Sequence, residues 1–339
     1  MKIRGYVTLS IVILSVVLCL FIVGCSPTEG NESENNGPIK IAFNNQWPGY
    51  DQIYIAQEKG FFEKNGVEVE LISTNDGVKT AEIYRNEEAD GLFHVYTDII
   101  FLNSEGIPTK IVYVDDYSDT ADVIVGKKEF KTIADLKDKK IGIQSVNTFS
   151  HLFVLSLLEN EGVKEGEIEF KQVLAQDVLK ELEAGTIVAG HTWEPTTSLA
   201  VEKGYKILGK AGDIPGIITD VLAFNAKIIE ERPEDVQAVV KSILEAKEYL
   251  ETNKEESLEI MVRSTGLSKE AIEEGINGVY VPNLEENIAA MKDTEKTTSL
   301  YTSGRRISDF YTSRGQLSEI PKLDEIIEPK FVNNIELQD

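Results

Sequence analysis

Residues 39–62 read IKIAFNNQWPGYDQIYIAQEKGFF. The first five, Ile39-Lys40-Ile41-Ala42-Phe43, alternate like a strand. A polar loop holding Pro48 and Gly49 follows, and Gln52 to Lys59 then reads as a helix. Working outward, Val67 to Ile72 predicts a second strand. Val78 to Asn86 predicts a helix, with Asn75 or Asp76 as its cap. Gly91 to Val95 and Lys110 to Val114 predict further strands. Strands alternating with helices mean a parallel sheet covered by helices.

A second series begins near Gly126. Ile141-Gly142-Ile143-Gln144 reads as a strand and Ser150 to Asn160 as a helix. Glu167 to Val173, Ile187 to Gly190 and Lys206 to Gly209 read as strands. Val178 to Ala184 and Glu194 to Lys203 read as helices. Asp220 to Phe224 resembles a strand returning to the first series. The remainder is mostly helical, with Pro233 suited to a first helical position and Glu234 and Asp235 in the first turn. The sequence shows no internal repeat and no heptad run.

The amino terminus carries a different message. Lys2 and Arg4 precede an apolar stretch from Val7 to Val23, and Ile22-Val23-Gly24-Cys25 forms a lipobox. Residues 1–24 are expected to be a signal peptide, and Cys25 the lipidated first residue of the mature protein. The other reading, an uncleaved spanning anchor, fits poorly with an apolar run barely long enough and with the Gly-Cys junction. Residues 25–38 lack large apolar side chains and read as a flexible tether. The protein is thus expected at the cell membrane, lipid-anchored on the extracytoplasmic side.

Cleavage would leave 315 of the 339 residues, which suits two lobes better than one core. Both cysteines, Cys19 and Cys25, would be lost or lipidated, so no disulfide is expected. The formal charge is −24, and losing Lys2 and Arg4 takes it to −26. That charge argues against nucleic acid or anionic lipid headgroups as partners.

Several motifs fall in the order of a known family. Trp47-Pro48-Gly49-Tyr50, then Ile55 to Phe62 (IAQEKGFF), resembles the opening of periplasmic-binding-type proteins of the nitrate/sulfonate/taurine class. That superfamily includes binders of the pyrimidine precursor of thiamine. Ala89-Asp90-Gly91, Thr132 to Lys140, Trp193-Glu194-Pro195, Ile214-Pro215-Gly216, Asp220-Val221-Leu222 and Glu231 to Glu234 continue the resemblance. It implies an α/β fold of the type II periplasmic-binding-protein kind, with two lobes around a ligand cleft. It also implies capture of a small solute for an ABC permease and its ATPase, without a cofactor. The lobes are expected at 39–125 with 220–330, and at 126–219. The crossings are expected near Val123–Gly126 and Thr219–Phe224.

Ligands of open α/β sheets lie beyond the carboxyl ends of the strands. That rule selects five loops. In the first, Trp47 and Tyr50 offer flat faces while Gln46 and Asp51 offer polarity; alternatively Trp47 packs in the lobe and Asp51 caps a helix. In the second, Thr74 and Asn75 form a polar nest or serve as caps. The third contains Tyr96 and Thr97, after a strand holding His94. The fourth, Ser145, Asn147 and Thr148, is the expected anion site, if there is one. The fifth places Trp193 opposite Trp47, with Glu194 beside it, unless Trp193 packs beneath the Pro195 turn. None of the five holds an arginine or lysine, which leans towards a ligand with donor groups and a flat ring, or a zwitterion.

Two other functions compete with solute capture. A metal site would use His94, His151 and His191, the chain's three histidines, although their spacing fits no motif. An enzyme would be of the pyrimidine-precursor-synthase kind, whose cysteine-rich motif is missing here. No GxSxG, HExxH or phosphate-binding glycine loop occurs either.

Overall fold

The computed structural model describes residues 37–335. The expected signal peptide, Cys25 and most of the tether lie outside the described residues. Among the described residues, eleven strands build two sheets. In chain order they are β1 Ile39–Asn44, β2 Val69–Thr74, β3 Gly91–Val95, β4 Thr109–Ser118, β5 Val123–Gly126, β6 Lys140–Ile143, β7 Glu169–Gln172, β8 Ala189–Thr192, β9 Lys206–Lys210, β10 Thr219–Asn225 and β11 Val279–Tyr280. The six-stranded sheet runs β11-β4-β10-β3-β1-β2 and the five-stranded sheet runs β7-β6-β8-β5-β9.

Both sheets follow one plan. Three parallel strands come first, in the order second, first, third. A fourth strand lies beyond an antiparallel strand supplied by the other half of the fold. That inserted strand is β10 in the first sheet and β5 in the second. This is the two-lobed α/β arrangement the resemblance implies. The chain passes between the sheets at residues 119–122 and 211–218. Val123–Gly126 and Thr219–Phe224, near which the crossings are expected, are themselves paired strands, and the passages lie just before them. The two passages run side by side: Gly212 N donates to Asp119 O at 2.7 Å, and Ala211 N to Asp122 O at 3.0 Å.

Three strand limits differ from the sequence pattern for local reasons. Val67 gives its N–H to Phe62 O, closing the turn after Phe61–Lys64, so β2 starts two residues later. β8 runs through His191 and Thr192, which moves them out of the loop. β4 continues four residues past Val114 to Ser118, entirely buried at that end. Its pairing with β10 shifts register between Asp220 and Val221, which face Asp116 and Val114 and pass over Asp115. Such a bulge re-aims side chains.

One large apolar cluster spans both sheets, from Ile39 and Phe43 through Phe93, Phe224 and Val240 to Ile141 and Phe153. The helix Pro233–Thr252 begins with Pro233 and first-turn Glu234 and Asp235, as the sequence predicts. It packs on Gln52–Glu58, behind the opening loop. Among the described residues no helix is long and apolar enough to cross a membrane.

Candidate functional site

The carboxyl ends of both sets of parallel strands face each other. Between them lies a chamber of about 60 Å³, lined from the first lobe by Trp47, Tyr50, Phe93 and Asp220 and from the second by Phe149 and Trp193. Asp122, from the first passage, also lines it. A larger adjoining chamber of about 260 Å³ shares Asn44, Gly77, Gln144 and Trp193 with the first and adds Gln46, Asn75 and Glu194. Trp47 and Trp193 meet from opposite lobes edge to face, with centroids 6.2 Å apart and planes at 88°. Phe149 lies 6.3 Å from Trp193 at 34°.

The opening loop is positioned by carboxylates. Trp47 Nε1 donates to Asp116 Oδ2 at 3.1 Å, Tyr50 OH donates to Asp220, and Gln52 Nε2 donates to Asp115. Gly49 makes this possible. A Cβ there would stand 2.2 Å from Asp116 Oδ2 and 2.5 Å from Trp47 Nε1. Further contacts bridge the lobes at the rim. Arg314 Nη2 lies 2.7 Å from Glu165 Oε2, Gln316 donates to Asn147, and Ser198 donates to Glu274. The cleft is therefore closed on both flanks.

Charge accumulates beneath the rings. Asp115, Asp116, Asp122 and Asp220 are all buried. Burial raises the carboxyls of Asp115 and Asp116 well above the usual range, and the neighbouring Asp220 raises both further. Asp220 is pushed up to about 7, by burial first. The Tyr50 hydrogen bond opposes that rise and repulsion from Asp122 adds to it. Lys247 relieves Asp115, while the charges acting most strongly on Asp116 and Asp220 are other carboxylates.

Asp122 ends a relay through the second lobe. Gln144 N donates to Ser150 Oγ at 3.1 Å, Ser150 Oγ lies 2.7 Å from His191 Nδ1, and His191 Nε2 lies 2.9 Å from Asp122 Oδ1. The residue types match a nucleophilic triad, but the exposure is reversed. Ser150 is fully buried and the carboxylate faces the chamber, so the relay holds an acid in place and presents no nucleophile.

The expected residues divide. Trp47, Tyr50 and Trp193 line the smaller chamber; Gln46, Asn75, Trp193 and Glu194 line the larger. The structure does not bring the others to either chamber. Asp51 is buried with both oxygens unpartnered and caps no helix. Thr74 bonds Asp76 O and Thr80. Tyr96 and Thr97 lie inside the first lobe, Tyr96 against Gly304. Thr148 donates to Ser145 O, and Asn147 accepts from Gln316. Of the loop expected to hold an anion, the Asn147 amide is already used by His151 Nδ1 at 3.1 Å, and the preceding Gln144 N is used by Ser150.

The three histidines have separate partners. His94 Nδ1 lies 3.1 Å from Asp98, His151 Nε2 lies 3.3 Å from Glu165, and His191 joins Asp122. Among the described residues no group of three or more His, Cys, Asp or Glu is disposed to hold a metal ion. Sequence reasoning missed Asn44, Asp122, Gln144 and Phe149 as lining residues, and Asp115 and Asp116 behind them. The available signal was the acidic run Asp115, Asp116, Asp119, Asp122 inside an apolar stretch.

Known proteins resemble this chain in sequence and fold. A binding protein of Brucella abortus strain 2308 is 25% identical over 289 residues, 84% of this chain and 88% of its own. The periplasmic aliphatic sulphonate binding protein of Escherichia coli superposes with a TM-score of 0.72 at 18% identity, over 88% of this chain and 99% of that one. The desulfurization enzyme DSZB superposes at 0.64 with 16% identity, over 87% and 98%. At such identities the two structures establish the periplasmic-binding-protein fold alone, which serves both a binding protein and an enzyme. Residues 47–257 match the NMT1/THI5-like family, more than half of the chain, and the protein belongs to that family.

Proposed function

We propose that this protein is the extracytoplasmic solute-binding component of an ABC importer, tethered to the membrane through lipidated Cys25. Residues 39–125 with 220–330 act as one lobe and 126–219 as the other. They close by hinge motion about the two passages and deliver the solute to a permease. The observation that carries this reading is the shared chamber: Trp47 and Trp193 reach it from opposite lobes and form walls that exist together only when the lobes are closed. Trp47, Tyr50 and Trp193 grip the solute, and Gln46, Asn75 and Glu194 contact its distal part.

Capture without turnover fits the reversed relay, whose serine is shielded from the chamber. Calorimetry of the purified mature chain against small sulfonates, taurine, nitrate, aminopyrimidines and small amines tests capture. A ligand at 100 times its dissociation constant should stabilise the fold by about 2.7 kcal/mol. Consumption of a bound ligand during incubation would replace the binding reading with an enzymatic one. Cys25→Ala should move the protein out of the detergent phase; unchanged partitioning would defeat the anchor.

A further inference from the structure

We propose that the solute carries a small positively charged head, an alkylammonium or amidinium group, held in the smaller chamber between the tryptophans and against Asp122 and Asp220. This rests on the solute-binding reading and specifies its ligand. The head points its charge at two carboxylates from different parts of the fold, and the rest of the molecule extends towards the larger chamber.

The first support is an unpartnered acceptor. Asp122 is 1% exposed and lines the chamber, its Oδ1 is engaged by His191, and its Oδ2 has no partner. A buried carboxylate oxygen without a donor is costly, and a cationic donor in the chamber would satisfy it. Asp220 lines the same chamber from the first lobe.

The second support is the ring set. Trp47, Tyr50, Phe93, Phe149 and Trp193 line the chamber. Aromatic faces carry negative potential and attract a desolvated cation. An anionic head would meet those faces and the two acids together.

The third support is what the walls omit. Neither chamber is lined by a lysine or arginine. Two backbone amides beside the cleft, Gln144 N and Asn147 N, are bonded within the lobe. A sulfonate or nitrate would therefore lose its hydration without gaining a cationic partner.

Size limits the head. A water occupies roughly 10–15 Å³ by this measure, so about 60 Å³ admits a group of a few heavy atoms, such as trimethylammonium or guanidinium. The larger chamber, with carboxamides of Asn44, Gln46, Asn75 and Gln144, suits an uncharged, hydrogen-bonding body.

The test uses the mature chain and four probes: trimethylammonium chloride, methylguanidinium chloride, sodium ethanesulfonate and taurine. Binding is followed by calorimetry and by the fluorescence of the chain's two tryptophans. At least one cationic probe should bind and change the fluorescence, and ethanesulfonate should not. Taurine counts with the cations only if its binding is lost with theirs. Asp122→Asn and Asp220→Asn should each weaken the cation roughly 30-fold or more, the cost of removing one partner from a buried charge pair. Asp220→Asn should melt no lower than wild type, because the charges acting on Asp220 are other carboxylates, whereas Asp122→Asn also alters the His191 pair and is read by its loss of affinity. Lower melting with unchanged affinity would mark the acids as structural and overturn the proposal. Ethanesulfonate binding that persists in both variants would overturn the charge assignment while leaving solute capture intact. Failure of every probe would overturn both.

Discussion

The two sheets share a strand order and differ in what they bring to the cleft. In the first, the adjacent pair β4 and β10 carries Asp115, Asp116 and Asp220 into the interior. In the second, the strand β5 of the matching pair is apolar along Val123–Gly126, and the lobe's aromatic contribution comes from elsewhere, from Phe149 at a helix start and Trp193 after β8. One topology thus fixes where a ligand can lie, at the strand ends. The chemistry is set independently by which residues occupy those ends. The first lobe supplies the buried acids beside its own rings, and the second supplies the facing aromatic wall.

Stability gives the largest contrast. Phe224, next to the last residue of the interior strand β10, is fully buried, and its ring approaches the site of a Gly91 Cβ to 2.6 Å. Phe224→Ala should cost about 3–5 kcal/mol. Ile207 on the edge strand β9 is 49% exposed, and Ile207→Ala should stay within about 0.5 kcal/mol. Urea unfolding of both variants measures the difference. Equal losses would mean that the edge of the second sheet is as tightly built as the centre of the first.

Acidity offers a contrast next in size. The carboxyl of Asp220 is pushed up to about 7 in the folded state, mainly by burial, against roughly 3.9 in an unfolded chain. Between those values the native state holds more protons than the unfolded state. Stability is then fully present below about pH 4 and is lost as pH rises towards 7, by on the order of a few kcal/mol. Tyr50, His94, Asp98, Asp115, Asp116 and Asp122 surround Asp220, so the transition belongs to the cluster. Melting curves of the ligand-free protein from pH 4 to 8 should fall, and Asp220→Asn should flatten the fall. A bound cation favours the ionised form, so its affinity should rise over the same interval. A stability that rises with pH through that range would refute the raised acidity constant.

This contrast was only half legible in the sequence. Periodicity located the βα series of both lobes, because apolar alternation and helix caps are local signals; Asp76 does accept from Val78 N at 2.9 Å. The loops after β1 and β8 delivered Trp47, Tyr50 and Trp193 to the chamber. The acids escaped because strand propensity disfavours aspartate, so β4 looked finished at Val114. Only the distant donors Trp47 and Gln52, 69 and 63 residues away, make Asp116 and Asp115 admissible inside a sheet. The loop Ser145 to Thr148 failed in the opposite way. Its residue types suit an anion, but His151, one turn onward, takes up the Asn147 amide, and the Asn147 and Thr148 side chains bond Gln316 and Ser145 O.

The donor network can itself be broken. Gly49→Ala would force a Cβ between Trp47 Nε1 and Asp116 Oδ2. Overpacking of this kind should cost about 1–3 kcal/mol. Tryptophan emission should change as Trp47 leaves its carboxylate, and the melting temperature should fall. An unchanged spectrum would show that the first lobe holds its ring without the hydrogen bond.

The smallest expected effect lies at the rim, where the lobes meet through charge. Arg314 is 20% and Glu165 44% exposed, and their pair spans 2.7 Å between lobes. Glu165 also faces His151 Nε2 at 3.3 Å within its own lobe. Arg314 stacks on Phe310 with its guanidinium carbon 3.7 Å from the ring centre, so replacing it would disturb packing as well as charge. Glu165→Gln is the cleaner change. A partly exposed pair contributes about 0.2–1 kcal/mol, and here it contributes only when the cleft is shut. The variant should therefore bind ligand at most about fivefold more weakly, through faster release. Raising the salt to about 1 M, where the Debye length is about 3 Å, should shrink the difference between variant and wild type. Stopped-flow fluorescence with whichever probe binds gives both rates. A loss of a hundredfold, or one indifferent to salt, would place Glu165 among the groups that hold the ligand.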